Sequence, residues 1–216
     1  MKRRFLTAVR FKKLFFLYLL LISCGSIKAQ VDSLIIGIEE TSPQQLLPEK
    51  MGFVKKTFWG EHGLMRTLKI SPLTADGRQK ELRVRRAMLK VHQFMGFATV
   101  GATITTIYFG EQIKNGKYEY IKQKDAAAVI SVGCYAATGL LQLLAPPPLV
   151  IRKATGGWSS IRVHKTLAYI HFTGMVITPA LGFYLHQKGY DLITYHRVSA
   201  YITTAALTGA MIVMTF

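Results

Sequence analysis

Cysteine is scarce in this chain, and the two cysteines present cannot form a covalent framework. Cys24 and Cys134 lie in different apolar stretches and make no Cys-x-x-Cys pair. The sequence therefore excludes a disulfide-rich scaffold, and its thiol usage does not indicate a redox compartment.

Acidic residues are also few. The chain has 11 Asp and Glu residues against 28 Lys and Arg residues, a net charge of +17, while 50% of its residues are hydrophobic. The apolar residues are clustered and the charges lie between the clusters, which is typical of a membrane protein with basic flanks at the lipid headgroups. We find no helix-turn-helix, zinc or single-strand-binding signature, so the charge does not indicate nucleic-acid binding. No carboxylate lies within an apolar stretch, which disfavours a proton-coupled transporter.

The first 29 residues are typical of an export signal. Basic residues precede a short apolar run at 14–22, and a cleavage position follows Ala29. Two other interpretations are a bacterial lipoprotein box at 21–24, in which Cys24 would be acylated, and an uncleaved anchor. All three export the segment that follows, and we predict a location in the bacterial inner membrane.

Residues 30–77 are predicted to form a short extracytoplasmic segment. The segment is too small for a core of its own, and aromatic and basic residues at 53–70 favour a position at the membrane interface. This orientation puts the basic run 78–90 outside, against the positive-inside tendency, whereas the lysines of the inner loops obey it. We prefer the exported orientation because the signal is the stronger cue, and juxtamembrane bases can bind lipid phosphates.

Four apolar stretches follow, and each approaches the roughly 20 residues that a helix needs to cross a bilayer. They cover residues 91–110, 126–145, 163–185 and about 192 or 196 to 216. The basic run 78–90 enters the first stretch without proline or glycine, so one continuous helix is expected there. The predicted fold is an all-α membrane protein, with a four-transmembrane-helix bundle over residues 78–216 preceded by the signal peptide and the extracytoplasmic segment.

Histidines in these stretches indicate a metal centre. His164 and His171 lie seven residues apart in the third stretch, nearly over one another and about 10.5 Å apart along a helix axis. His92 lies near the start of the first stretch, which runs in the same direction as the third. An imidazole in hydrocarbon costs free energy unless something binds it. A haem iron takes two axial imidazoles on opposite faces, so His92 is predicted to pair with His164 or His171.

A second candidate pair lies toward the other surface, where His186 leaves the third stretch and His196 begins the fourth. The alternative interpretation is that such histidines are polar anchors at helix ends, and His186 in particular can extend into the loop. His171 fits that alternative least, because it is about two turns inside its stretch. Zinc is a weaker hypothesis, since it needs three or four converging ligands and no His-x-x-x-His pair is present. His62 is predicted to be an exposed polar residue.

Three histidine-led motifs carry a resemblance to a known family: HQFMGFATVG (92–101), HKTLAYIHFTGMVITPALG (164–182) and HRVSAYITTAALTGAM (196–211). They resemble the glycine-containing helices of the cytochrome b561 and related ferric-reductase-like transmembrane family, over about residues 89–216. The resemblance implies a four-helix core with bis-histidine b haems that passes electrons across membranes from donors such as ascorbate or quinol. In that family the first helix pairs with the third and the second with the fourth. Here the second stretch has no histidine, so the residues allow one haem b, or a rearranged second site that uses His186.

The predicted function is that of a membrane b-type cytochrome that carries single electrons between a donor and an acceptor that the sequence does not name. Lys165 and Arg197 each follow a histidine, and they are predicted either to hold the haem propionates or to anchor in the headgroups. The alternative function is a non-catalytic membrane subunit, held in a homo- or hetero-oligomer through small-residue helix faces.

Overall fold

A computed structural model of the chain describes residues 46–149, 159–188 and 192–215, without the side chains of 186–188. The predicted signal peptide with Cys24 and the first part of the extracytoplasmic segment lie outside the described residues. Every regular element within the described ranges is helical. The elements are α1 (Phe53–Trp59), α2 (Leu64–Thr67), α3 (Ala75–Lys114), a 3-10 turn (Tyr118–Tyr120), α4 (Ile121–Leu144), α5 (Ser160–Lys188) and α6 (Ile193–Thr215).

Three helical stretches are long and apolar enough to cross a membrane. They are Tyr118–Leu144, Ser160–Leu185 and Ile193–Thr215, and they correspond to the second, third and fourth predicted spans. The first predicted span, residues 91–110, lies within α3 but is less apolar, because His92, Gln93 and four threonines interrupt it. The structure thus describes a helical protein with three candidate membrane spans.

The basic run 78–90 and residues 91–110 form one uninterrupted helix, as the sequence predicts. Helix α3 has 40 residues, which at 1.5 Å per residue is about 60 Å, roughly twice the thickness of a bilayer core. Its start is fixed by Thr74, whose side chain accepts a hydrogen bond from the Gly77 amide. It ends before Asn115 and Gly116, and Gly116 adopts a positive φ of 81°.

The four long helices contact one another in the cyclic order α3, α4, α5, α6. Each neighbouring pair is joined by at least one hydrogen bond between the helices: His92 with Thr138 for α3 and α4, Tyr135 with His171 for α4 and α5, Thr178 with Ser199 for α5 and α6, and Glu111 with Arg197 for α6 and α3. Consequently α3 and α5 are diagonal partners, and side chains from both can face the centre of the bundle.

A buried ionic cluster holds the segment before the bundle. Arg78 and Glu81, each with a side chain only 2% exposed, form an ion pair, and Arg66 and Ser71 also donate hydrogen bonds to the Glu81 carboxylate. The remaining Arg78 donors bind carbonyls far away in the chain, from Nε to Leu46 O at 2.8 Å and from Nη2 to Pro147 O at 3.1 Å. Arg78 thus joins α3 to the loop after α4, and it replaces water with protein acceptors at every donor group.

The end of α4 is fixed by two more hydrogen bonds. Trp59 Nε1 donates to Leu144 O at 2.9 Å, and Arg85 Nη1 donates to Pro146 O at 2.7 Å. The sequence favoured an interfacial position for residues 53–70 and lipid phosphates as partners of the basic run. In the structure Trp59 is buried against α4, and Arg78 and Arg85 bind backbone carbonyls of the same chain, while the position of residues 53–70 relative to a membrane stays a prediction.

Replacing Arg78 tests this cluster. We expect Arg78→Met to lower the free energy of unfolding by about 3–5 kcal/mol, because it removes one of the two cations paired with the buried Glu81 and the donors to the Leu46 and Pro147 carbonyls. The measurement is unfolding in detergent, followed by tryptophan fluorescence. Arg83→Met is the matched control, since Arg83 is an exposed residue on the same helix. Equal stability of the two variants would contradict the assigned role.

The same cluster predicts a dependence on pH. Burial raises the pKa of Glu81, but the hydrogen bonds from Arg66 and Ser71 and the charge of Arg78 outweigh it, so the net shift is downward. A carboxylate with a lowered folded-state pKa stabilises the fold above its unfolded pKa of about 4.3 and loses that contribution as pH falls through the folded value. The midpoint of thermal unfolding should therefore drop on acidification below about pH 4. The drop should be smaller in Glu81→Gln than in the exposed-site control Glu119→Gln.

Candidate histidine site

Two of the predicted ligand histidines donate their ring N–H to a carbonyl of a neighbouring helix. His92 on α3 lies with Nδ1 at 2.9 Å from Thr138 O of α4, and His164 on α5 lies with Nδ1 at 3.0 Å from Ala210 O of α6. A carbonyl oxygen only accepts, so Nδ1 carries the proton in both rings, and Nε2 of the neutral ring keeps a lone pair. Both contacts span 46 residues of sequence.

His171 is held by a side chain rather than by the backbone. Its Nδ1 lies 2.9 Å from the Tyr135 hydroxyl of α4, and the two rings meet edge to face at a centroid distance of 5.6 Å. A hydroxyl can donate or accept, so this contact permits either tautomer. When Tyr135 accepts, Nε2 of His171 is a lone-pair donor like that of the other two rings.

The three rings lie close to one another. His92 lies within electrostatic reach of both His164 and His171, and these two also interact. Their Nε2 atoms make no hydrogen bond within the described residues. The protein thus brings His92 of α3 toward two histidines of its diagonal partner α5, and their role as ligands stays a prediction.

The geometry is that of pairs rather than of a cage around one ion. Among residues 46–149, 159–188 and 192–215, no group of three or more His, Cys, Asp or Glu side chains is arranged to hold a metal ion. Two imidazoles from different helices are a ligand set that would suit haem iron.

His196 lies on α6 and contacts α5 at Thr178, about four turns along α5 from His164. Its Nδ1 is 2.9 Å from Thr178 O, and its ring packs on Gly182, where an added Cβ would stand 3.1 Å from Cε1. His186 lies in α5, but its side chain is outside the described part of the molecule. The predicted pairing of His186 with His196 stays a prediction. His62 is exposed, as predicted.

The two cations that follow histidines have different surroundings. Arg197 donates to Glu111 Oε1 from Nη2 at 2.8 Å and from Nε at 3.1 Å, and the Tyr201 hydroxyl donates to the same oxygen. Arg197 thus ties α6 to the end of α3. Lys165 instead lies within range of the charge of Lys55 on α1. Arg197 thus already has a carboxylate partner in the structure. The role of Lys165 and Arg197 with haem propionates stays a prediction.

Sequence patterns did not identify the groups that orient the imidazoles. Thr138 and Tyr135 lie one turn apart on α4, in a stretch without a predicted ligand, and Ala210 carries no polar side chain at all. A backbone carbonyl in a helix can accept a second hydrogen bond with its free lone pair, whatever its side chain. Of these three residues, only Tyr135 could have been recognised in the sequence as a partner for an imidazole, because it places an aromatic hydroxyl inside an apolar stretch.

A separate groove lies between α3 and α6. It encloses about 480 Å³, and its walls are mostly apolar or small side chains, among them Ile104, Ile107, Ala205, Gly209 and Ile212. No histidine lines it. The groove is therefore distinct from the histidine site.

Comparison with known proteins adds no assignment: no protein-family model, curated protein or solved structure matches this chain. The cytochrome b561 resemblance stays a prediction from the sequence motifs.

The close approach of α5 and α6 can be tested at Gly174. A Cβ at this position would overlap the Thr203 hydroxyl, so Gly174→Ala should push the two helices apart and lower the midpoint of thermal unfolding in detergent. Thr203→Ala removes the atoms nearest to that Cβ, and the double variant should recover part of the loss. Gly139→Ala is the matched control, because a Cβ there meets nothing within 4 Å. If Gly174→Ala were as stable as this control, the packing described here would be wrong.

Proposed function

We propose that this protein is a membrane-embedded b-type cytochrome that carries single electrons, with haem b held between His92 of α3 and a histidine of α5. The observation that supports the proposal best is the state of the imidazoles. His92 and His164 each donate Nδ1–H to a carbonyl of another helix, which leaves Nε2 as a lone-pair donor on two diagonal helices. Ligating histidines usually donate the other ring N–H in this way, which fixes the tautomer and raises ligand basicity.

The residues present fit the demands of such a group. Haem iron would be held by two imidazoles from different helices, and α3 and α5 supply imidazoles within range of one another's charge. Gly96 lies one turn after His92, and a Cβ there would meet nothing within 4 Å, so this face of α3 leaves space beside the ligand. Haem b would supply an iron that takes up and releases one electron, and its potential depends on the ligands, their hydrogen bonds and the apolar surroundings.

The role of the protein in this proposal is to hold and shield. Thr138 O and Ala210 O keep the two imidazoles in one orientation, so that neither ring has to turn when the charge of the bound group changes. The ion pair of Arg197 with Glu111 keeps α6 and α3 together at the far end of the bundle. We also propose that residues 91–110 of α3 form a membrane span in addition to the three candidate spans. We propose that residues 1–29 are an export signal and that the protein lies in a bacterial inner membrane.

An absorption spectrum tests the proposal. The full chain, purified in detergent from haem-replete cells, should give a sharp α band on reduction with dithionite. We expect His92→Ala to lower the haem content by more than about tenfold, since losing a ligand costs at least as much as losing its hydrogen-bond partner. His62→Ala is the matched control, because His62 is exposed and should keep the full band. A colourless wild-type protein would favour the non-catalytic subunit instead.

The partner of His92 can be assigned by two further variants. Of His164→Ala and His171→Ala, the one that removes the ligand should abolish the band, while the other should retain it. If His171 is the ligand, Tyr135→Phe should weaken haem binding by about 10- to 100-fold, because the ring loses the group that orients it. If His164 is the ligand, Tyr135→Phe should leave haem content unchanged. A band that survives in the His164→Ala, His171→Ala double variant would contradict ligation from α5.

A further inference from the structure

Lys55 of α1 lies between the charges of two cations on other helices, beside the start of α5. Lys55 of α1 lies close enough to Arg85 of α3 and Lys165 of α5 for their charges to interact. We call these three residues the basic cluster. Within the described residues none of them forms an ion pair with a carboxylate, since the ion pairs there involve other cations. Three positive charges without a counter-charge are a site for an anion.

The basic cluster lies where two apolar helices reach the edge of the membrane. Trp59 binds Leu144 O, which places α1 at the last residue of the apolar stretch Tyr118–Leu144. Arg85 binds Pro146 O, two residues further on. Lys165 lies in the second turn of the apolar stretch Ser160–Leu185. The cluster is thus level with the ends of two candidate spans, which is the depth of lipid phosphate groups.

The surroundings of Lys55 make an anion favourable there. Burial lowers the pKa of Lys55, and the charges of Arg85 and Lys165 lower it further. Arg85 is also half-buried and uses one guanidinium nitrogen for Pro146 O. A bound phosphate would offset this repulsion with charge-assisted hydrogen bonds.

An exposed apolar stripe continues from the cluster along α5. Tyr169, Phe172 and Val176 follow Lys165 at spacings of four, three and four residues, so all lie on one face of the helix. Their exposed fractions are 76%, 60% and 58%. His164 precedes Lys165 by one residue, a rotation of about 100° around the axis, so the histidine face and this stripe are different sides of α5.

We propose that the basic cluster and the stripe of Tyr169, Phe172 and Val176 bind one anionic phospholipid, with its phosphate at the cations and an acyl chain along the stripe. The charge without a counter-ion selects the headgroup, and the apolar stripe that begins at Lys165 selects a ligand with a chain. The stripe faces away from the histidine site, so Lys165 serves the lipid rather than a haem propionate. This site does not depend on the proposed electron-carrier function.

The test measures the midpoint of thermal unfolding of the full chain in detergent during titration with phosphatidylglycerol or with phosphatidylcholine. Phosphatidylglycerol should raise the midpoint and phosphatidylcholine should not, because only the former carries a net negative charge. Lys55→Gln with Lys165→Gln should weaken the apparent affinity for phosphatidylglycerol by about 30-fold, at roughly fivefold for each lysine. Lys56→Gln with Lys80→Gln is the matched control, since it removes the same charge from exposed positions on α1 and α3.

Inorganic phosphate is the second arm of the test. If it raises the midpoint as much as phosphatidylglycerol does, the site binds free phosphate and the lipid proposal fails. Tyr169→Ala with Phe172→Ala should weaken the lipid effect and leave any effect of phosphate unchanged. Equal responses to both lipids, or equal affinities in the two double-lysine variants, would overturn the proposal. Loss of haem in the Lys55→Gln, Lys165→Gln double variant would also overturn the proposal, because it would assign the cluster to haem propionates. A colourless wild-type protein that binds phosphatidylglycerol would contradict the proposed electron carrier and leave the lipid site intact.

Discussion

An imidazole that lies between apolar helices has to place its N–H against an acceptor, and in this protein the acceptor comes from another helix. The ring of His92 thereby joins α3 to α4, and the ring of His164 joins α5 to α6. A polar group without a partner in such surroundings costs a few kcal/mol, so each contact restrains the two helices and the ring together. The orientation of the histidines is therefore a property of helix packing, and the site forms only when the bundle does.

A second restraint acts outside the apolar region, where Arg78 connects elements that are distant in sequence. Its side chain binds the carbonyl of Leu46, the carboxylate of Glu81 on its own helix, and the carbonyl of Pro147 after α4. A planar guanidinium with five donors suits this position better than a lysine would, because its donors are spread in fixed directions. Part of the large positive charge of the chain is thus used inside the protein, and only the remainder is available for lipids.

The sequence predicted the helices well and their polar contacts poorly, for a physical reason. Length and apolar content identify α4, α5 and α6, and the absence of proline and glycine from residues 78–95 identifies the continuous passage of the basic run into the first stretch. The hydrogen bonds of Arg78 and Arg85 to proline carbonyls could not be predicted, because a basic side chain gives no local sign of whether a carbonyl 60 or 70 residues away will accept its hydrogen bond. The pairing of Glu111 with Arg197 spans 86 residues and is equally invisible in the pattern. Histidine positions could be found from the sequence, whereas the tautomers could not.

The histidine contacts of the two helical hairpins have the same spacing, and this has a consequence for symmetry. His92 reaches Thr138, and 72 residues later His164 reaches Ala210, so α3 with α4 and α5 with α6 behave as two copies of one structural unit. Copies that pack side by side in the same direction are related by a pseudo-twofold axis parallel to the helices. Under that operation equivalent side chains approach the axis from opposite sides. The same shift sets Thr99 against His171 and Lys124 against His196, so among the histidines only His92 and His164 obey the duplication, and they approach the axis as equivalent side chains from its two sides.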